Sequence, residues 1–191
     1  MKTHLSIAIR FTLATTLLFG ILYPLIVTVF SHWMFPAQAD GSLITRDGVL
    51  VGSRLIGQGF SGDLYFHSRP SAAGAGYDAS ASSGSNLAPT SQALVDRVKQ
   101  DVQNLHSDNS AGPVPVDLVT ASGSGLDPDI SPAAAAFQVN RVAAARKASP
   151  GAVEALVARH TLPRQLGVLG EPRVNVLELN LDLDAQFPVK P

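Results

Sequence analysis

Several groupings in this 191-residue chain have the residue types and spacing of reactive or binding sites. Gly57-Gln58-Gly59-Phe60-Ser61-Gly62 spells G-x-G-x-x-G, with Asp78 near the place of a ribose-binding acid. Such a loop holds a pyrophosphate only where a helix N-terminus follows it. Here Asp63-Leu64-Tyr65-Phe66 follows and has the pattern of a strand, so a turn is expected. Ser107-Asp108-Asn109 matches one element of the penicillin-binding set. Its partner S-x-x-K is missing, because Asp96 and Ala144 stand three residues before Lys99 and Lys147, and there is no K-T-G. Ser122 and Ser124 occur in Ser-Gly-Ser-Gly without a G-x-S-x-G elbow. A serine nucleophile also needs a histidine base oriented by an acid, and none of the five scattered histidines marks itself as that base. No lysine follows a glycine, which excludes a Walker A loop, and histidine spacing suggests no zinc site. With no cysteine, thiolate chemistry and disulfides are excluded. The expectation is a chain with no catalytic or metal site of its own.

Asp127-Pro128-Asp129 admits two readings. Two carboxylates about a fixed proline would attract a cation; equally, acids just before a helix at Pro132 complement its dipole by ~0.3–1 kcal/mol, which is the simpler account. Arg69, in Ser68-Arg69-Pro70-Ser71, either contacts a partner or binds loop carbonyls of its own chain.

The elements that would position these residues alternate between strand and helix. Leu43–Val51 is a short apolar run about a turn at Asp47-Gly48. Leu64-Tyr65-Phe66 is a strand fragment by pattern, and Val114–Val119 a β-branched strand. Thr90 is the expected N-cap of a helix whose apolar face carries Leu94, Val98, Val102 and Leu105. Ser131-Pro132 and Ser149-Pro150 each place a cap residue before proline at the first helical position. The second of these helices aligns Val153, Leu156, Val157 and His160. Val174–Leu179 carries the strongest strand pattern, interrupted by Asn175 and Glu178. These elements predict one α+β domain.

In front of that domain, Phe11 to Phe30 is uncharged, and twenty residues at ~1.5 Å rise span a bilayer's hydrocarbon core. Lys2 and Arg10 precede the run and no acid lies among the first ten residues, so the positive-inside rule predicts a cytoplasmic tail (residues 1–10), a membrane helix (11–32) and an extracytoplasmic domain (33–191). Ala37-Gln38-Ala39 resembles a signal-peptidase site, but signal peptides carry an apolar region of only about 7–15 residues; a retained anchor is expected. From Phe11 onward 12 basic residues face 15 acids, with no basic tract for nucleic acid. Within the anchor, Thr12, Thr16, Gly20, Pro24 and Thr28 recur every fourth residue. Such a stripe lets another helix approach closely, though Gly and Pro are also common in membrane helices generally. Pro24 is expected to kink the span.

Six longer blocks occur in a fixed order behind this anchor: Gly52-Ser53-Arg54-Leu55-Ile56-Gly57-Gln58; Tyr65-Phe66-His67-Ser68-Arg69-Pro70-Ser71-Ala72; Ser82-Ser83-Gly84-Ser85-Asn86-Leu87; the run from Val119 through Ser122, Ser124, Asp127 and Asp129 to Pro132; Gln138-Val139 with Arg141-Val142-Ala143; and Gly170-Glu171-Pro172-Arg173 onward to Leu181. Together they resemble the C subunits of bacterial Kdp potassium-transporting ATPases, from the anchor to about Asp182. The resemblance implies partners: a channel-like, potassium-selective A subunit, an ATP-hydrolysing P-type B subunit and a small F subunit. It also implies the role of a catalytic chaperone that raises the B subunit's affinity for ATP, with ATP and potassium handled by the complex and no cofactor held directly. Arg69, Ser85, Asn86, Ser122, Ser124, Asp127 and Asp129 are then partner-contacting or structural loop residues. A domain outside the membrane acts on a cytoplasmic nucleotide only through a coupling free energy, typically ~1–3 kcal/mol, carried by the anchor or by assembly with the A subunit. Alternatively, the domain caps the outer potassium entrance with a weakly cation-attracting field. Two rivals remain: an anchored periplasmic hydrolase using Ser122 or Ser124, and a solute-binding protein released after Ala39.

Overall fold

The structure, a computed structural model, describes residues 2–108 and 112–189; Ser107-Asp108-Asn109 therefore ends outside the described residues. The chain divides into two compact units, Met1–Val51 and Gly52–Pro191.

In the first unit one helix runs from Lys2 to Met34, long and apolar enough to cross a membrane. It comprises α1 (Lys2–Thr15), a π-helical stretch (Thr16–Leu22) and α2 (Tyr23–Met34). The wide stretch precedes Pro24, and the N–H of Tyr23 bonds Leu18 O, five residues back. Proline lacks an amide donor and its ring crowds the carbonyl four residues earlier; a wide turn is one way to relieve that crowding. A step of four residues overshoots a 3.6-residue α turn and undershoots a π turn, so drift along the Thr12–Thr28 stripe is partly cancelled. After the short α3 (Pro36–Ala39) come β1 (Leu43–Arg46) and β2 (Val49–Ser53), joined as expected at Asp47-Gly48. Both turn residues have positive φ (52° and 77°), the geometry of a two-residue hairpin turn that suits the twist of its strands.

The second unit is α+β. Its three-stranded antiparallel sheet has the order β3 (Asp129–Ile130), β5 (Arg173–Asn175), β4 (Thr161–Leu162), pairing Ile130 with Val174 and Thr161 with Val174. Against it pack α5 (Pro132–Ala145), α6 (Pro150–His160) and α7 (Val176–Gln186), and α4 (Gln92–Asp108) precedes the sheet in the chain. Val139, Val142, Val153, Leu156, Val174, Leu179 and Leu183 are fully buried at the centre with Phe66. Ser131 and Ser149 cap α5 and α6 as expected, accepting from Ala134 N and Ala152 N, each with proline in the first turn. Helix α4 begins at Gln92, two residues beyond Thr90; the residue before it is Ser91.

Two expected strands are absent and a third is cut short, for identifiable reasons. Leu64-Tyr65-Phe66 is irregular, because helix side chains supply the partners a neighbouring strand would give. Arg146 Nε donates to Leu64 O (2.7 Å) and Arg141 Nη2 to Tyr65 O (3.0 Å). The Asn180 amide holds Phe66 N and O (2.9 Å each), and Gln138 holds His67 N and O (2.7 and 3.1 Å). Val114–Val119 instead forms a 3₁₀ turn, Val116–Leu118, after Pro115, which has no amide to donate to a ladder. Within Val174–Leu179 the strand stops at Asn175, whose side chain accepts from Glu178 N and starts α7. The residues that interrupt the strand pattern are the helix start signal. As expected, no helix opens on Gly57–Gly62; the next regular element is the 3₁₀ turn Ala79–Ala81.

Candidate functional site

The blocks between Gly52 and Leu87 and between Val119 and Pro132 fold into one loop assembly. Gly57 N donates to Leu126 O (2.8 Å) and Ser83 N to Ser124 O (3.0 Å); Ser82 Oγ reaches the same Ser124 carbonyl (2.9 Å). Ser71 Oγ donates to Gly125 O (2.6 Å) and accepts from Tyr77 N (2.7 Å), while the Tyr77 hydroxyl donates to Arg69 O. Gly125 sits at the crossing with φ 67°; a Cβ there would lie 2.6 Å from Ser83 O and 2.7 Å from Ala73 N. Only glycine fits so close a backbone approach.

Beside this assembly lies a cleft of about 480 Å³ with Arg69, Asp117, Asp127, Asp129, Glu171 and Arg173 in its lining. Arg69 Nη1 pairs with Asp127 Oδ2 at 2.9 Å, and its Nε donates to Thr120 O at 3.4 Å. Arg173 pairs with Asp129 at 3.0 Å, and Asn175 Nδ2 donates to Asp129 Oδ1 at 3.3 Å. Asp127 Oδ1 accepts from Asp129 N, tying the two acids through the backbone (3.1 Å). Asp117 accepts from Ser131 N and Oγ (2.7 and 3.1 Å), so it braces the residue that caps α5. Glu171 receives Arg164 on both oxygens (2.8 and 2.6 Å). Burial pushes the Asp129 carboxyl above its ordinary range, against the opposing pull of Arg173 and Asn175. The four acids of the lining each have a protein partner, which leaves only a weak negative field for a passing cation.

Of the residues singled out from sequence, Arg69, Asp127 and Asp129 meet in this cleft. Ser122 and Ser124 lie in the adjoining loop; Ser124 Oγ accepts from Leu126 N at 3.1 Å and Ser122 O from Gly125 N at 3.3 Å. Ser85 and Asn86 are exposed, Asn86 with φ 52°. Thr12, Thr16, Gly20, Pro24 and Thr28 belong to the long helix of the other unit. Three histidines use a ring nitrogen within the chain: His32 Nδ1 meets Thr28 O (2.9 Å), His67 Nε2 meets Gly62 O (2.8 Å) and His160 Nε2 meets Asp182 (2.9 Å). Asp117, Glu171 and Arg173 were not foreseen as cleft residues. Asp117 is hidden in what looks like a strand, and Arg173 and Glu171 stand more than forty residues from the acids they join.

The family model described as "K+-transporting ATPase, c chain" matches residues 5–185. The chain is 56% identical over 189 residues to the potassium-transporting ATPase KdpC subunit of Koribacter versatilis, covering 99% of this chain and 98% of that one. Against the KdpC subunit of Gemmatimonas aurantiaca it is 58% identical over 193 residues, covering 100% and 97%. Against that of Acidobacterium capsulatum the identity is 57% over 181 residues, covering 95% and 97%. Both the loop assembly and the apolar helix fall within the matched span, and the chain belongs to the KdpC family, the c chain of K+-transporting ATPases.

Proposed function

We propose that this chain is a non-catalytic accessory subunit of a high-affinity, ATP-driven potassium uptake complex. The observation that carries the reading is the family match across residues 5–185, which takes in the anchor and every loop block. The long apolar helix holds the subunit in the bacterial inner membrane. Lys2 and Arg10 keep its N-terminus cytoplasmic, so the α+β unit is periplasmic. Its partners are a channel-like potassium-selective A subunit, an ATP-hydrolysing B subunit and a small F subunit.

The subunit stabilises this assembly and acts as a catalytic chaperone, raising the ATP affinity of the B subunit. ATP and potassium bind the partners, so the effect on nucleotide affinity is indirect, a coupling of ~1–3 kcal/mol. Two features support a structural rather than chemical role. The loop assembly is cross-linked by its own backbone, and the cleft acids are engaged within the chain.

The test is a detergent pull-down of the tagged chain from membranes of potassium-starved cells, with co-purifying proteins identified by mass. The expected result is a P-type ATPase and a channel-like subunit in stoichiometric amounts. Recovery of the chain alone, with those neighbours demonstrably expressed, would overturn the proposal.

A further inference from the structure

Between β4 and β5 the chain makes a small hairpin that breaks local sequence rules. Gln165 and Leu169 pair across it, with both N–H···O bonds at 2.9 Å, and Val168 N closes the turn on Gln165 O at 3.2 Å. The central residues, Leu166 and Gly167, both have positive φ (51° and 78°). A turn of this kind favours Asn, Asp or Gly at its first central position, because a branched side chain is strained there. This chain places a leucine there and leaves it 90% exposed, beside Val168 at 73% and Leu169 at 55%. Among the described residues, little packs on Leu166 to offset either the strain or the exposure. Such violations mark sites whose compensation comes from elsewhere. At the base of the hairpin, Arg164 Nη2 donates to both oxygens of Glu171, an exposed pair that adds little to the backbone pairing which shapes the tip.

We infer that the Leu166–Leu169 tip is a docking peg that inserts into an apolar socket on another subunit of the same complex. The inference rests on the accessory-subunit reading above. Area and charge select this occupant. A stable interface needs about 800 Å² per partner, and three aliphatic side chains supply only a small part of that. A second copy held by this tip alone would not persist, whereas a neighbour already held through the membrane helix needs only a local anchor. A bilayer surface would recruit interfacial aromatics and unpaired basic residues around such aliphatic side chains. Leu162–Pro172 has no aromatic residue, and its one arginine, Arg164, is paired.

The experiment places a benzophenone photo-crosslinking side chain at Leu166 in the chain expressed with its neighbours, and a second at exposed Glu154 on α6 as a control. The expected result is a covalent adduct with another subunit from position 166 and little from 154. Adducts with lipid only, with a second copy only, equal yields from both positions, or none would overturn the peg. Separately, Leu166→Asn suits the left-handed turn, so melting of the chain should be unchanged or higher. Its retention in the complex through detergent washing should fall about tenfold, as for an interface hot spot; unchanged retention would overturn the inference. Where the unsubstituted chain co-purifies and position 166 gives no adduct, the peg fails and the subunit reading stands. Where the unsubstituted chain is recovered alone, both fail.

Discussion

Asp129 and Asp182 carry opposite pH signatures. Burial raises the Asp129 carboxyl above its ordinary value of 3.8, so the folded chain holds that proton to a higher pH than the unfolded chain does. Its contribution to stability is full below 3.8 and declines as pH rises through the raised value. Asp182 is held low, first by its hydrogen bond with His160 and then by Gln186; its contribution is present above 3.8 and is lost on acidification. Thermal melts across pH should therefore show Asp129→Asn losing the decline that begins near 3.8, so that wild type weakens relative to the variant as pH rises. Parallel profiles would refute the assignment. Arg146 is the other residue on which much depends. Its side chain is 1% exposed and serves Leu64 O, Phe187 O and Asp184, with its guanidinium 4.9 Å from the Tyr65 ring centroid. Arg146→Met should cost about 2–3 kcal/mol in urea unfolding, since it takes the donor from two carbonyls and one partner from Asp184, which keeps the Tyr65 hydroxyl. Arg146→Lys should recover only part, because a single ammonium lacks the planar fork.

Element boundaries in this protein are set by side chains that bond to backbone. Asn175 ends β5, caps α7, and donates to Arg54 O and Asp129 Oδ1 while being 4% exposed. Asn175→Val suits a strand by propensity yet should destabilise by about 2–3 kcal/mol, from a lost cap and newly unpaired buried groups; chemical denaturation would measure it. At the loop crossing, Gly125→Ala forces a left-handed alanine against Ser83 O and Ala73 N. It should cost at least ~2 kcal/mol and should raise hydrogen exchange at the Ser83 amide, which the crossing now protects. The capped starts of α5 and α6 were legible because Ser-Pro is a local signal. The segment Leu64–Phe66 was misleading because its partners, Arg141, Arg146 and Asn180, come from helices far along the chain.

At the scale of the molecule, the membrane-length helix Lys2–Met34 carries the stripe of small residues that a partner helix would use. A Cβ at Gly20 would meet only Thr16 Cγ2, at 3.7 Å, so the helix itself tolerates a side chain there. Gly20→Leu should then leave the α+β unit's melting unchanged while lowering recovery of the complex several-fold, if a neighbouring helix uses the stripe. Normal assembly of that variant would remove the stripe from the interface. Mass analysis of the mature N-terminus separates a retained anchor from release after Ala39.

Local and ordered information was enough to predict the membrane-length helix, the Asp47-Gly48 hairpin, the Ser-Pro helix starts, the α+β class and the family. Each depends on residues close in sequence or on blocks in a fixed order. Tertiary structure alone decided the joining of Arg69, Asp127 and Asp129 with Asp117, Glu171 and Arg173 in one cleft. It also decided that helix amides and guanidinium groups replace a strand partner for residues 64–67. Those pairings close loops of tens of residues, and no local propensity encodes which distant side chain will satisfy a buried carbonyl.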